Sequence, residues 1–130
     1  MNLKPRLKPG RLHKITIAPA ADRVRIRFGE RVVVDTGRAL ELREAKYRPV
    51  LYVPREDVVD GVLEPSTHET YCPFKGEAGY FTLRDGERVA EDAVWTYPAP
   101  YDAVAEIAGH VAFYPQFVEI ERGPATSRSL

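Results

Sequence analysis

Polar and apolar residues alternate strictly from Arg23 to Phe28, which sets Val24, Ile26 and Phe28 on one side of a strand and three arginines on the other. Gly29-Glu30 then links to Arg31-Val32-Val33-Val34-Asp35, and glycine at the first central position predicts a type II′ hairpin. Residues 38–43 read as extended, although Ala39-Leu40-Glu41-Leu42 also fits a helical turn. Pro49 and the β-branched residues after it favour a strand over 50–53, which Pro54 ends; residues 55–59 fit one helical turn before Gly61. Asp85-Gly86 predicts a type I′ turn between strands over 80–83 and 88–90. Extended without a bulge, that register sets Arg84 opposite Glu87 and Gly76 opposite Trp95, where the indole would cover the glycine backbone.

One helix is expected near the C-terminal end, with Asp102 as N-cap, Val104, Ile107 and Ala108 as its apolar stripe and Gly109 as its stop. Two last strands, 111–114 and 117–121, are split by Pro115; Val118 and Ile120 face one way, Glu119 and Glu121 the other. Roughly seven or eight strands and one short helix describe a single mainly β domain over residues 15–121, between a basic N-terminal tail (1–14) and a flexible C-terminal tail (122–130).

Length changes this picture little, since 130 residues leave no room for a second domain. Charge adds more. The 19 basic and 19 acidic residues cancel, but Lys4, Arg6, Lys8, Arg11 and Lys14 all precede the first acid, Asp22. Removing those 5 leaves 14 basic against 19 acidic residues, so the chain from residue 15 onward is acidic by about five charges. Such a domain lacks the basic face of a nucleic-acid binder, and no nucleic-acid partner is expected. The basic tail, with its two prolines and no periodicity, reads as solvated rather than membrane-bound; no apolar run approaches the ~18 residues of a membrane span. One cysteine and no signal-peptide core point to a reducing cytoplasm.

Candidate chemistry starts from Cys72, the sole thiol. Lys75, three residues on, favours a thiolate if the loop curls its ammonium toward the sulfur, and His68 is the candidate base. Four extended residues span roughly 13 Å, so His68 reaches Cys72 only if the chain folds back; a small buried cysteine beside a proline turn is the plainer reading. No Cys-x-x-Cys pair or helical His pair supports a metal, and no Walker, Gly-x-Gly-x-x-Gly or Gly-x-Ser-x-Gly motif supports a cofactor or a hydrolase. Trp95, Tyr97 and Tyr101, interleaved with Pro98 and Pro100, can form a wall on which a planar ligand stacks, with Lys75 and Arg55 as charges. They serve equally as core. Tyr52 with Arg55 and Asp57 is open in the same way.

The segments Tyr52-x-Pro54-x-x-Asp57-Val58, Ser66-Thr67-His68-x-Thr70-x-Cys72-Pro73-x-Lys75-Gly76-x-Ala78-x-Tyr80 and Ala93-x-Trp95-x-Tyr97-Pro98-x-Pro100 together resemble the bacterial proteins catalogued as domain of unknown function 427, sometimes labelled nucleotidyltransferase-like. The resemblance implies a β-tent or Mss4-like fold, two antiparallel sheets leaning over a cleft, and draws His68, Thr70, Cys72, Lys75, Trp95 and Tyr97 into one region. Zinc-binding members of that fold group use two Cys-x-x-Cys knuckles, which this chain lacks. The close acidic pair that a nucleotidyltransferase needs for magnesium is also missing from the sequence.

The expectation is therefore a cytoplasmic domain that binds a small planar or anionic molecule in a cleft lined by Trp95, Tyr97 and Lys75, with Tyr52, Arg55 and Thr70 as further contacts, no cofactor and no metal. The alternatives are a thiol or acid–base enzyme using Cys72 and His68, and a module that pairs with a second copy through an exposed strand.

Overall fold

The computed structural model describes residues 4–124, in which ten strands follow one another. They are β1 (Ile15–Pro19), β2 (Arg23–Phe28), β3 (Arg31–Thr36), β4 (Leu40–Glu44), β5 (Val50–Pro54), β6 (Leu63–Cys72), β7 (Gly76–Asp85), β8 (Arg88–Thr96), β9 (His110–Phe113) and β10 (Glu119–Gly123). All pairings are antiparallel and build two sheets, one in the order β1-β4-β5-β9-β8-β7-β6 and one in the order β10-β2-β3. The mainly β architecture expected from the sequence is thus present. No helix among the described residues is long and apolar enough to cross a membrane.

Period-2 alternation decides what each face of the larger sheet meets. Leu51 and Val53 of β5, Val94 of β8, and Val111 and Phe113 of β9 join Val24, Ile26, Phe28, Val33 and Val34 of the small sheet in one aliphatic core. Residues in the opposite phase, Tyr52, Trp95 and Ala112, turn to the far face with Leu42, Ala78 and Tyr97. The space between the sheets is therefore filled. The cleft lies instead on the outer face of the seven-stranded sheet, where the aromatic residues collect.

Two strands carry no clear signal in the sequence. β6 is an edge strand, mostly exposed, and its polar run with Pro65 satisfies no alternation because neither side is deeply buried. β1 is short and pairs only with β4. At the other end, β10 continues through Gly123, so residues 122 and 123 belong to the sheet and not to a tail; of the expected tail, 125–130 lie outside the described residues.

The β7–β8 hairpin differs from its expected register by two steps. Gly86, not Asp85, is the first central residue of the turn, with φ of +61°, the same value as Gly29 in the β2–β3 hairpin, whose turn is placed as expected. Asp85 stays in the strand opposite Arg88. Farther along, Thr82 faces a bulge around Asp92, whose φ is +53°; its backbone N–H donates to the Thr82 hydroxyl (3.3 Å) and its carboxylate accepts from Ser66. The turn and the bulge each shift the pairing by two residues, so Trp95 faces Tyr80 rather than Gly76.

The expected helix over 102–108 is a pair of 3₁₀ turns, Asp102–Ile107, broken at Val104 (φ −130°). The Asp102 side chain makes no capping bond, and the cap position falls on Tyr101. Val104 and Ile107 are fully buried whereas Ala108 is exposed. The apolar spacing is thus i, i+3 alone, which suits three residues per turn.

Candidate functional site

Alternation along β4 sets Leu40, Leu42 and Glu44 on the aromatic face, and the last of these brings a carboxylate to an apolar position. Glu44 lines a cleft of about 210 Å³ with Lys75, Tyr52, Trp95 and Tyr97. Tyr80 and Tyr114 complete its aromatic wall, and Leu42 and Val50 its floor.

The Trp95 indole is held from below and from the side. Its N–H donates to the Tyr52 hydroxyl at 3.2 Å, the two rings meeting edge to face at 87°, and the Tyr114 ring lies 4.5 Å away. Tyr52 is almost completely buried, and that burial pushes its phenol up from the ordinary value. Burial does the same to Tyr97, and burial followed by the neighbouring Tyr80 hydroxyl pushes Tyr114 up to about 12. These three phenols stay protonated at neutral pH, so their hydroxyls meet a ligand as uncharged donors and acceptors.

Charge in the cleft comes from one pair. The Lys75 ammonium donates to Glu44 Oε1 at 2.5 Å, and both side chains are nearly sealed, 9% and 15% exposed. Burial pushes the Glu44 carboxyl up, but the hydrogen bonds from Lys75 and from His13, whose Nε2 lies 2.7 Å from Glu44 Oε2, outweigh it and hold the group below its ordinary value. The turn that aims Lys75 inward is locked by its own backbone. Lys75 N–H donates to the Cys72 carbonyl (3.2 Å), and its carbonyl accepts from Tyr101 N–H (3.0 Å). Gly76 follows with φ of +114°, a backbone conformation that L side chains rarely adopt, so glycine is required where the chain passes the proline segment.

Lys75, Trp95, Tyr97 and Tyr52 therefore share one cleft. Thr70 is outside its lining but bonds the Tyr80 hydroxyl at 2.9 Å, and the exposed His68 ring lies 4.5 Å from the Tyr80 ring. Arg55 points elsewhere, its guanidinium 4.6 Å over Phe81 of the inter-sheet core. Cys72 is half-buried with its sulfur 3.7 Å from Lys75 Nζ, while His68, four residues back along the extended β6, is not brought to it. Glu44, Tyr80 and Tyr114 were not singled out by the sequence reading. For Glu44 the signal was available: an acid in phase with Leu40 and Leu42.

Among the described residues no three His, Cys, Asp or Glu side chains gather as metal donors. Over residues 16–123 the chain matches the family model NTP_transf_9, described as "Domain of unknown function (DUF427)". No curated protein matches the chain.

Proposed function

Because the chain belongs to the DUF427 family, whose description assigns no reaction, we propose its function from the cleft: it binds a small, uncharged, planar heteroaromatic molecule of one or two fused rings. The observation that carries this reading is an aromatic-walled space whose two charges, Glu44 and Lys75, neutralise each other. A ring stacks on the indole side of the wall, and its polar edge meets phenol hydroxyls. A free anion is a poorer fit than the sequence alone suggested, because the Lys75 ammonium already serves a carboxylate. The volume, about 210 Å³, is below the roughly 300 Å³ at which drug-sized sites begin, and favours a small ligand. The single free thiol suits a reducing compartment such as the cytoplasm.

Trp95 is the only tryptophan, so its emission reports this cleft alone. Titration with adenine and nicotinamide is expected to change that emission saturably, and benzoate to change it much less. Tyr114→Phe, which removes one hydroxyl contact, is expected to weaken the heterocycle by about 1 kcal/mol, roughly fivefold. Emission unmoved by any uncharged heterocycle at millimolar concentration would overturn the reading.

The 3.7 Å approach of Lys75 Nζ to Cys72 Sγ favours a thiol reaction as the second reading. Iodoacetamide distinguishes the two: slow alkylation of the native protein at neutral pH is expected from a ligand site, and alkylation at the rate of an activated thiol would promote the enzyme.

A further inference from the structure

Residues 4–14 have no regular secondary structure and run beside the cleft, which they reach through His13 at Glu44. Leu7 N–H donates to the Pro73 carbonyl (2.9 Å), the Tyr71 hydroxyl donates to the Pro5 carbonyl (2.7 Å), and the Arg6 guanidinium lies 4.1 Å over the Tyr101 ring. Yet the segment buries almost nothing. Leu12 is fully exposed, Leu7 is 49% exposed, and only Pro9 and His13 are half-buried. Apolar burial is the main term holding a segment in place, and contacts at exposed side chains add little, so this stretch opens at far lower cost than the sheets beneath it. Its fixed end is well defined, because Ala45 N–H donates to the Lys14 carbonyl (2.8 Å) just before β1 begins.

His13 is the exception to this loose attachment. Its imidazole stacks on Phe74 with centroids 4.0 Å apart and planes 6° from parallel, while Nε2 meets Glu44 Oε2. That oxygen belongs to the same carboxylate that Lys75 holds at the cleft wall. A flat nitrogen heterocycle, stacked on an aromatic face and hydrogen-bonded to the cleft's carboxylate, is the class of molecule the cleft is proposed to take. We propose that residues 4–14 are a self-inhibiting cover and that His13 is its internal ligand: when the cover swings away about Lys14, a planar nitrogen heterocycle takes the place of the imidazole between Phe74 and Glu44. This rests on the cleft being a binding site for such rings, and it adds a second seat beside the indole wall, on Phe74, where a ring nitrogen meets Glu44 Oε2.

The test uses the full chain and His13→Ala, with Cys72 beside Lys75 as reporter. Iodoacetamide is expected to alkylate Cys72 about fivefold faster in His13→Ala, the factor for losing one ordinary hydrogen bond from the closed state. Free imidazole at millimolar concentration is expected to slow the variant back toward the parent rate and to leave the parent unchanged. Tyr71→Phe, which releases Pro5 without touching the slot, is expected to speed alkylation with no response to imidazole. Equal rates in parent and His13→Ala would overturn the cover, and a His13→Ala rate indifferent to imidazole would overturn the internal-ligand assignment. Neither measurement needs adenine or nicotinamide, so failure of those titrations would count against the proposed function separately.

Discussion

Glu44→Gln is expected to cost about 3 kcal/mol of folding stability, an unusually large loss for a change of one oxygen to nitrogen. The reason is what it leaves behind. Lys75, 9% exposed at its side chain, keeps its charge and loses the carboxylate that compensates it, and His13 loses the same partner. Removing one member of a sealed pair costs more than the pair is worth, so Glu44→Gln with Lys75→Met should recover most of the loss. Urea denaturation of the two variants and the parent checks both statements, and a Glu44→Gln cost below about 0.5 kcal/mol would sink them. The same comparison has a pH signature. Glu44 is held below its ordinary value in the folded protein, so its contribution is complete above the ordinary carboxylate range and is lost as pH falls through the lower folded value. Between neutral pH and about pH 3 the parent should lose more stability than Glu44→Gln, in which that group no longer titrates.

Tyr52→Ala should cost more still, about 3 to 5 kcal/mol. The ring is 2% exposed and packs among Leu42, Tyr97 and Ala112, so truncation opens a cavity under the cleft floor. It also leaves the Trp95 N–H without its acceptor. Tyr52→Phe keeps the ring and removes the acceptor alone, for an expected cost of about 1 kcal/mol. Chemical denaturation followed through Trp95 emission measures both. A Tyr52→Ala cost near that of Tyr52→Phe would mean that the ring is not part of the packing that carries the indole.

These residues also show what the sequence made legible. β2 was readable because one of its faces is wholly buried and the other wholly polar, the condition under which alternation is informative. β6 was not, since an edge strand with both faces near water has no reason to alternate. The β7–β8 turn was found, but its register depended on which of Asp85 and Gly86 takes the first central position, and on a bulge at Asp92 that local sequence does not announce. Lys75, Trp95, Tyr97 and Tyr52 meet in the cleft because the first three flank a glycine turn and a proline segment that the chain itself brings together, and Tyr52 follows from strand phase. Arg55 was drawn in by its nearness to Tyr52 in the chain, yet the turn after Pro54 carries it over to Phe81. Tyr80 lies in β7 and Tyr114 directly follows β9, the strands on either side of β8, and that adjacency is set only by sheet order.

The small sheet has a consequence for the order of events in folding. β2 and β3 form a hairpin early in the chain, but β10, the strand that completes their sheet, lies at the opposite end, where Arg122 pairs with Asp22 across 100 residues. A contact of that span is slow to form and weighs heavily in the contact order that limits folding rates. During synthesis the β2 edge of the hairpin keeps its backbone groups unpaired until residues 119–123 have left the ribosome. A nascent chain arrested before Glu119 should consequently carry β2 as an open edge able to pair with another strand, and release of residues 119–123 should close that edge.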